Sequence, residues 1–209
     1  TYGTAETLSS SISIHDRILT EQIPSSQDFL ATILEAMKSN IVLQMTFHSF
    51  TMTEAKTFLV EPYCVKMSAQ RWYMLARNVD YNYLRLYSLD RMEDVRLTDA
   101  HFVLPKDFCA KEYFAEYYGI VLDESAPLQR IVLRADKYHQ HYMRTLPLHP
   151  SQREIFTCDD YADFELTLRP TYDFYMKLMS FGNMIKVLEP RSLQEKIYKW
   201  LKKTIEVYK

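Results

Sequence analysis

The hydrophobic pattern changes period at residue 40. Before it, Phe29, Ile33, Leu34 and Met37 recur at helical spacing, and Ser25 with Asp28 reads as a capping box that opens the helix. After Asn40 the repeat is two residues. Ile41, Leu43, Met45 and Phe47 point one way, and Val42, Gln44, Thr46 and His48 the other, the mark of a half-buried strand. Four more strands are expected over about 56–66, 71–79, 83–89 and 91–98, with Asp80-Tyr81-Asn82 as the turn of a hairpin. Phe108 to Tyr118 reads as a helix stopped by Gly119, and Asp123 to Pro127 as a polar break.

Beyond the break the rhythm differs. Strands are expected at Ile131-Val132-Leu133, Glu154 to Thr157, Phe164 to Leu168 and Ile185 to Leu188. Helices are expected from Asp136 through Tyr142, from Pro170 to Gly182, and from Pro190 to the end, where Leu193, Ile197, Trp200, Leu201, Ile205 and Tyr208 are expected to form the buried stripe. The order β-α-β-β-α-β-α is that of a ferredoxin-like sandwich with an added helix. The first part, one helix and five short antiparallel strands, suggests a small SH3-like or Sm-like barrel. The fold class is therefore α+β: a five-stranded barrel with a leading helix over 26–122, and an α/β sandwich over 127–209. Residues 1–25, with a Ser/Thr-rich stretch and Pro24-Ser25-Ser26, read as a linker.

Composition narrows the function. A hydrophobic content of 47% supports a real core, and 3 Gly leave no room for glycine-rich phosphate loops. The net charge of −2 is uneven. Residues 1–125 carry 11 Lys+Arg against 17 Asp+Glu, a net −6, and residues 126–209 carry 14 against 10, a net +4. Most lysines of the second half lie on the last helix and read as a solvated face. Cys64, Cys109 and Cys158 have no CxxC spacing, so neither a disulfide framework nor a zinc site is expected, which fits a reducing cytoplasm. No signal peptide or run of about 18 apolar residues is present. His139 and His141 stand two apart rather than four, so they do not read as a metal pair. No nucleophile elbow, Walker loop, HExxH or paired-carboxylate signature is seen, so a binding module rather than an enzyme is expected, with no cofactor.

The richest stretch is Arg71-Trp72-Tyr73-Met74-Leu75-Ala76-Arg77-Asn78, then Arg85-Leu86-Tyr87-Ser88-Leu89-Asp90-Arg91-Met92, preceded by Glu61-Pro62-Tyr63. It resembles the WYL domain, a ligand-sensing module of bacterial transcriptional regulators. The family's Trp-Tyr-Leu stands here as Trp72-Tyr73-Met74, and Ser88 occupies a position where the family pattern has arginine. The second half is similar to the WCX extension that often follows WYL, through Ser180-Phe181-Gly182, Val187-Leu188-Glu189-Pro190 and the terminal helix. The resemblance implies a regulator whose winged helix-turn-helix binds promoter DNA and is missing from this stretch, an effector that in some members is a nucleic-acid strand or nucleotide, and a homodimer.

Arg77, Arg85 and Arg91 are the candidates for an anion patch, since guanidinium forks match phosphate or carboxylate bidentately. Arg77 and Arg85 flank one hairpin, and their heads converge if they share its face. Arg91 has the alternative of pairing with Asp90 or Asp94 to lock the barrel. Tyr73 and Tyr87 are candidate stacking residues, with barrel core as their alternative, and His48 and Ser49 stand where a ligand at the barrel mouth would meet them. A small-metabolite sensor and a dimerisation scaffold without effector remain as rival functions.

Overall fold

The computed structural model describes residues 28–209. The Ser25–Asp28 capping box and the 1–25 linker fall on or extend into the residues outside that range. Helix α1 (Leu30–Ser39) leads into β1 (Ile41–Phe47), β2 (Lys56–Ser68), β3 (Arg71–Asn78), β4 (Tyr83–Ser88) and β5 (Met92–His101), with one 3-10 turn at Leu89–Arg91. These strands form an antiparallel sheet of order β4-β3-β2-β1-β5. The alternation in β1 is realised: Leu43, Met45 and Phe47 enter a core with Ile33 and Ala36 of α1, Val60, Met74, Ala76, Tyr87 and Leu89. The opposite face buries Val42 and Tyr63 beneath Phe102, Leu104 and Phe108 of the chain that follows β5.

The five strands of the expected SH3-like or Sm-like barrel do not close. Among the described residues no pairing joins the edge strands β4 and β5, so the sheet is open. The physical reason lies in α1, which packs on β1, β2 and β5 and seals the apolar face that closure would otherwise have to cover. The helix expected over 108–118 is also shorter: only α2 (Ala110–Tyr113), a single turn, is helical. Its aromatic residues are used laterally instead, in a run of ring contacts from Tyr63 through Phe108 and Tyr113 to Phe114.

The second part contains β6 (Gln129–Asp136), α3 (His139–Thr145), β7 (Arg153–Thr157), β8 (Tyr161–Leu168), α4 (Tyr172–Ser180), β9 (Ile185–Glu189) and α5 (Arg191–Val207). The strands form a second antiparallel sheet of order β7-β8-β6-β9. The Asp136 carboxylate accepts the Tyr138 and His139 amides at 3.0 and 2.7 Å at the start of α3. Ile131, Leu133, Phe164, Leu166, Phe174, Leu178 and Leu193 form the core between this sheet and α4 and α5. The molecule is thus α+β with two antiparallel sheets. No described helix is long and apolar enough to cross a membrane.

The connector between the sheets belongs partly to each. Phe102 and Phe108 pack on the first sheet. From Glu116 onward the chain is held by the second: the Arg169 amide donates to the Glu116 carbonyl at 2.7 Å, and the Arg169 guanidinium binds the Glu116 carboxylate at 2.6 Å.

Candidate functional site

Strand register decides which candidate residues meet. In the β3–β4 pair, Arg77 stands opposite Leu84 and Ala76 opposite Arg85. Directly paired residues share a face and neighbours alternate. Tyr73, Leu75 and Arg77 therefore share one face with Ser88, Leu86 and Leu84, while Met74 and Ala76 share the other with Tyr87 and Arg85. Arg77 and Arg85 point to opposite sides of the sheet and do not converge.

Arg77 is bound to Glu61, its neighbour on β2, by two hydrogen bonds of 2.6 Å. Its remaining fork donates to Asn82 Oδ1 at 2.8 Å. The Glu61 hydrogen bond raises the Arg77 pKa further, so this guanidinium is spent within the fold.

Arg85 and Arg91 behave differently. Every other described arginine has a carboxylate within ion-pair distance; these two have none among the described residues. Neither of Arg91's expected partners is free. Asp90 takes Arg71 at 2.9 Å and the Ser88 hydroxyl, and Asp94 takes Arg96 at 2.7 Å. Arg91 lies instead over the rings of Phe50 and Phe47, at 4.4 and 5.7 Å, and its Nε is buried with no acceptor among the described residues. Arg85 lies 5.7 Å from the Tyr87 ring, which meets Phe47 edge-on at 5.3 Å. The Arg85 and Arg91 guanidinium groups are thus linked through one aromatic contact, Tyr87 on Phe47.

Tyr87 itself is 1% exposed. Burial raises its pKa above the usual phenol range, partly offset by a hydrogen bond with Asn78. It serves as core and support rather than as an open stacking surface. The open ring here is Phe50, 81% exposed, which the sequence reading missed. Its signal was a large apolar residue directly after His48-Ser49, at the end of an otherwise alternating strand. The His48 amide donates to the Arg91 carbonyl at 3.0 Å, which places His48 beside the arginine. The His48 ring meets the Met52 carbonyl at 3.1 Å and the Glu93 carboxylate at 3.5 Å. Ser49 is buried, with its hydroxyl 3.1 Å from that of Thr51.

Ser88 is buried, with its hydroxyl on Asp90. Tyr73 lies on the face away from Arg85. It borders an open cleft of about 690 Å³ between the two sheets, with Lys66, Gly119, His149, Asp173 and Lys177. Burial is the main reason its pKa is raised.

His149 is buried across that cleft. Its Nδ1 accepts the Ser151 amide at 3.2 Å, and a hydrogen bond with the backbone of Ala115 holds the other side. Burial lowers its pKa. The unfolded state then binds the extra proton first, so stability is full above the unfolded value of about 6.5 and falls as pH drops below it. Thermal melts between neutral and mildly acidic pH should show that decline, and His149→Gln should flatten it. An equal decline in both proteins would remove His149 from the cause.

Among the described residues, then, an open sheet whose Arg85 and Arg91 have no carboxylate partner is followed by a second sheet bound to the connector. Residues 28–97 match the WYL domain family and residues 127–205 the WCX domain family. The chain therefore belongs to the proteins that carry a WYL domain followed by a WCX domain. No curated protein matches it. Among solved structures it is similar to proteasome accessory factor B/C (PafBC) of Arthrobacter aurescens, at 16% identity and a TM-score of 0.37 over 88% of this chain. It is also similar to a protein described as CRISPR Cas-related, at 13% identity and a TM-score of 0.46 over 88% of this chain. It spans 27% of the first and 52% of the second.

Proposed function

We propose that this chain is the effector-sensing region of a transcriptional regulator, and that its effector is an anion held by Arg85 and Arg91. The observation that carries this reading is that these two arginines have no carboxylate partner among the described residues, where every other described arginine has one. A guanidinium left without a counter-charge, with one buried N–H unsatisfied, favours a phosphate that completes its hydrogen bonds. The exposed ring of Phe50 beside it supports single-stranded nucleic acid or a nucleotide over a simple anion, because a base adds stacking of about 1–3 kcal/mol. The mode of action is binding, not catalysis. The order β7-β8-β6-β9 supports a ferredoxin-like second unit, and the exposed Tyr198, Ile205 and Tyr208 on or just beyond α5 support a homodimer.

The test is fluorescence anisotropy with labelled single-stranded DNA, duplex DNA and RNA, at low and physiological salt. Arg85→Ala with Arg91→Ala should weaken single-strand binding about a hundredfold, at roughly 1.4 kcal/mol per lost contact. The slope of log affinity against log salt should shrink by about 0.7 for each contact. Unchanged binding by the double variant would remove these arginines from the site. Failure of the wild type to bind any of the three would turn attention to a small anionic metabolite.

A further inference from the structure

The connector between the domains is gripped from both sides over Gly119 to Val121. On the WCX side, Asp173 in the first turn of α4 accepts the amides of Ile120 and Val121 at 2.6 and 2.9 Å. Gly119 precedes them at φ +78°, and a Cβ placed there would lie 2.8 Å from the Asp173 Cβ. The chain approaches the carboxylate so closely that only glycine fits. On the WYL side, Lys66 of β2 reaches across and donates to the Gly119 carbonyl at 2.5 Å, with its ammonium 4.2 Å from the Phe114 ring centroid. Lys66 is half-buried, burial lowers its pKa, and it has no carboxylate within ion-pair distance among the described residues. An ammonium kept in such a place is held by the joint rather than by solvent.

Lys66 is also the end of a cross-strand row. It stands opposite Tyr73 on β3, and Tyr73 stands opposite Ser88 on β4, all on one face. The Ser88 hydroxyl binds Asp90, the residue before Arg91 in the 3-10 turn. A row of cross-strand neighbours therefore runs from the turn that carries Arg91, through Ser88, Tyr73 and Lys66, to the connector and α4 of the WCX domain.

We propose that this row and the Lys66–Gly119–Asp173 joint regulate the anion site's output: occupancy at Arg91 is read by the WCX domain as a change in how firmly the connector is held. This rests on the anion-sensing function proposed above. Such coupling means that ligand and joint bias each other's equilibrium.

Hydrogen exchange of the Ile120 and Val121 amides, with and without a short oligothymidylate, measures that bias in the intact chain. In the wild type, binding should slow exchange at these amides by about fivefold or more, the lower end of ordinary allosteric coupling. Lys66→Met should bind the oligonucleotide as the wild type does but lose the slowing, and Lys66→Arg, which keeps a donor, should recover it. Asp173→Ala, which removes the acceptor from the other side, should lose the slowing as well and serves if Lys66→Met does not fold. Exchange in the β6 and β8 core strands reports folding in each variant. Binding without any change at these amides would overturn the joint and leave the anion site standing, as would a slowing that persists in both variants. No binding by the wild type would overturn the reading of Arg85 and Arg91 as a nucleic-acid site, and with it the joint's regulatory role.

Discussion

Tyr87→Ala should destabilise the protein by about 3–5 kcal/mol, the usual cost of truncating a fully buried aromatic. Tyr87 is 1% exposed and touches both Phe47, at 5.3 Å, and Phe58, at 5.7 Å. Its removal opens a void in the core of the first sheet, where Met74, Ala76 and Leu89 cannot close in without moving strands. Tyr87→Phe keeps the ring and gives up only the hydrogen bond with Asn78, at about 1 kcal/mol. Urea unfolding of the two variants separates a packing role from a recognition role. If Tyr87→Ala unfolded like the wild type yet lost its ligand, the residue would be a stacking platform and its assignment to the core would be wrong.

Arg77→Ala should cost about 2–3 kcal/mol and leave ligand binding intact. The Glu61 side chain is 8% exposed and that of Arg77 38% exposed. Deleting the arginine strands a carboxylate that the fold has already taken out of water. Breaking a fully buried pair typically costs 3–5 kcal/mol, and the partial exposure of Arg77 lets water recover some of it. Replacing both partners, Arg77→Met with Glu61→Met, should restore much of the loss, because no unpaired charge then remains. Thermal unfolding of the single and double variants makes the comparison. A stable Arg77→Ala protein with weakened oligonucleotide binding would return Arg77 to the site.

These two residues mark the limit of what the amino-acid pattern conveyed. Alternation announced the strands because a sheet with one buried face repeats every two residues, and Leu43, Met45 and Phe47 do enter the core as that rule requires. Helical spacing announced α1, α4 and α5 for the corresponding reason. The motifs around Trp72-Tyr73 and Leu89-Asp90-Arg91 carried the family, which the matches to WYL and WCX domains bear out. The barrel's failure to close was not visible, because closure depends on two edge strands meeting and on what covers the face between them. The 108–118 segment was misread because its aromatic residues suit a helix stripe and a lateral ring cluster equally.

The sequence by itself therefore determined the strands, the longer helices, their order and the family, all of which follow from local periodicity and motif. The tertiary structure alone decided which arginine faces which way. A three-residue turn at Asp80-Tyr81-Asn82 would pair Val79 with Tyr83 and put Arg77 directly across from Arg85. In the fold, Asn78 pairs with Tyr83 and the loop holds four residues. The Asn78 carbonyl receives the Asn82 amide at 2.9 Å, its side chain receives the Tyr81 amide at 3.0 Å, and Asn82 turns back at φ 52°. The Val79 amide is drawn to the Leu59 carbonyl at 3.0 Å, on the neighbouring strand. One residue of register sends the two arginines to opposite faces. Arg77 then meets Glu61 and becomes part of the framework, while Arg85 and Arg91 remain without a counter-charge among the described residues.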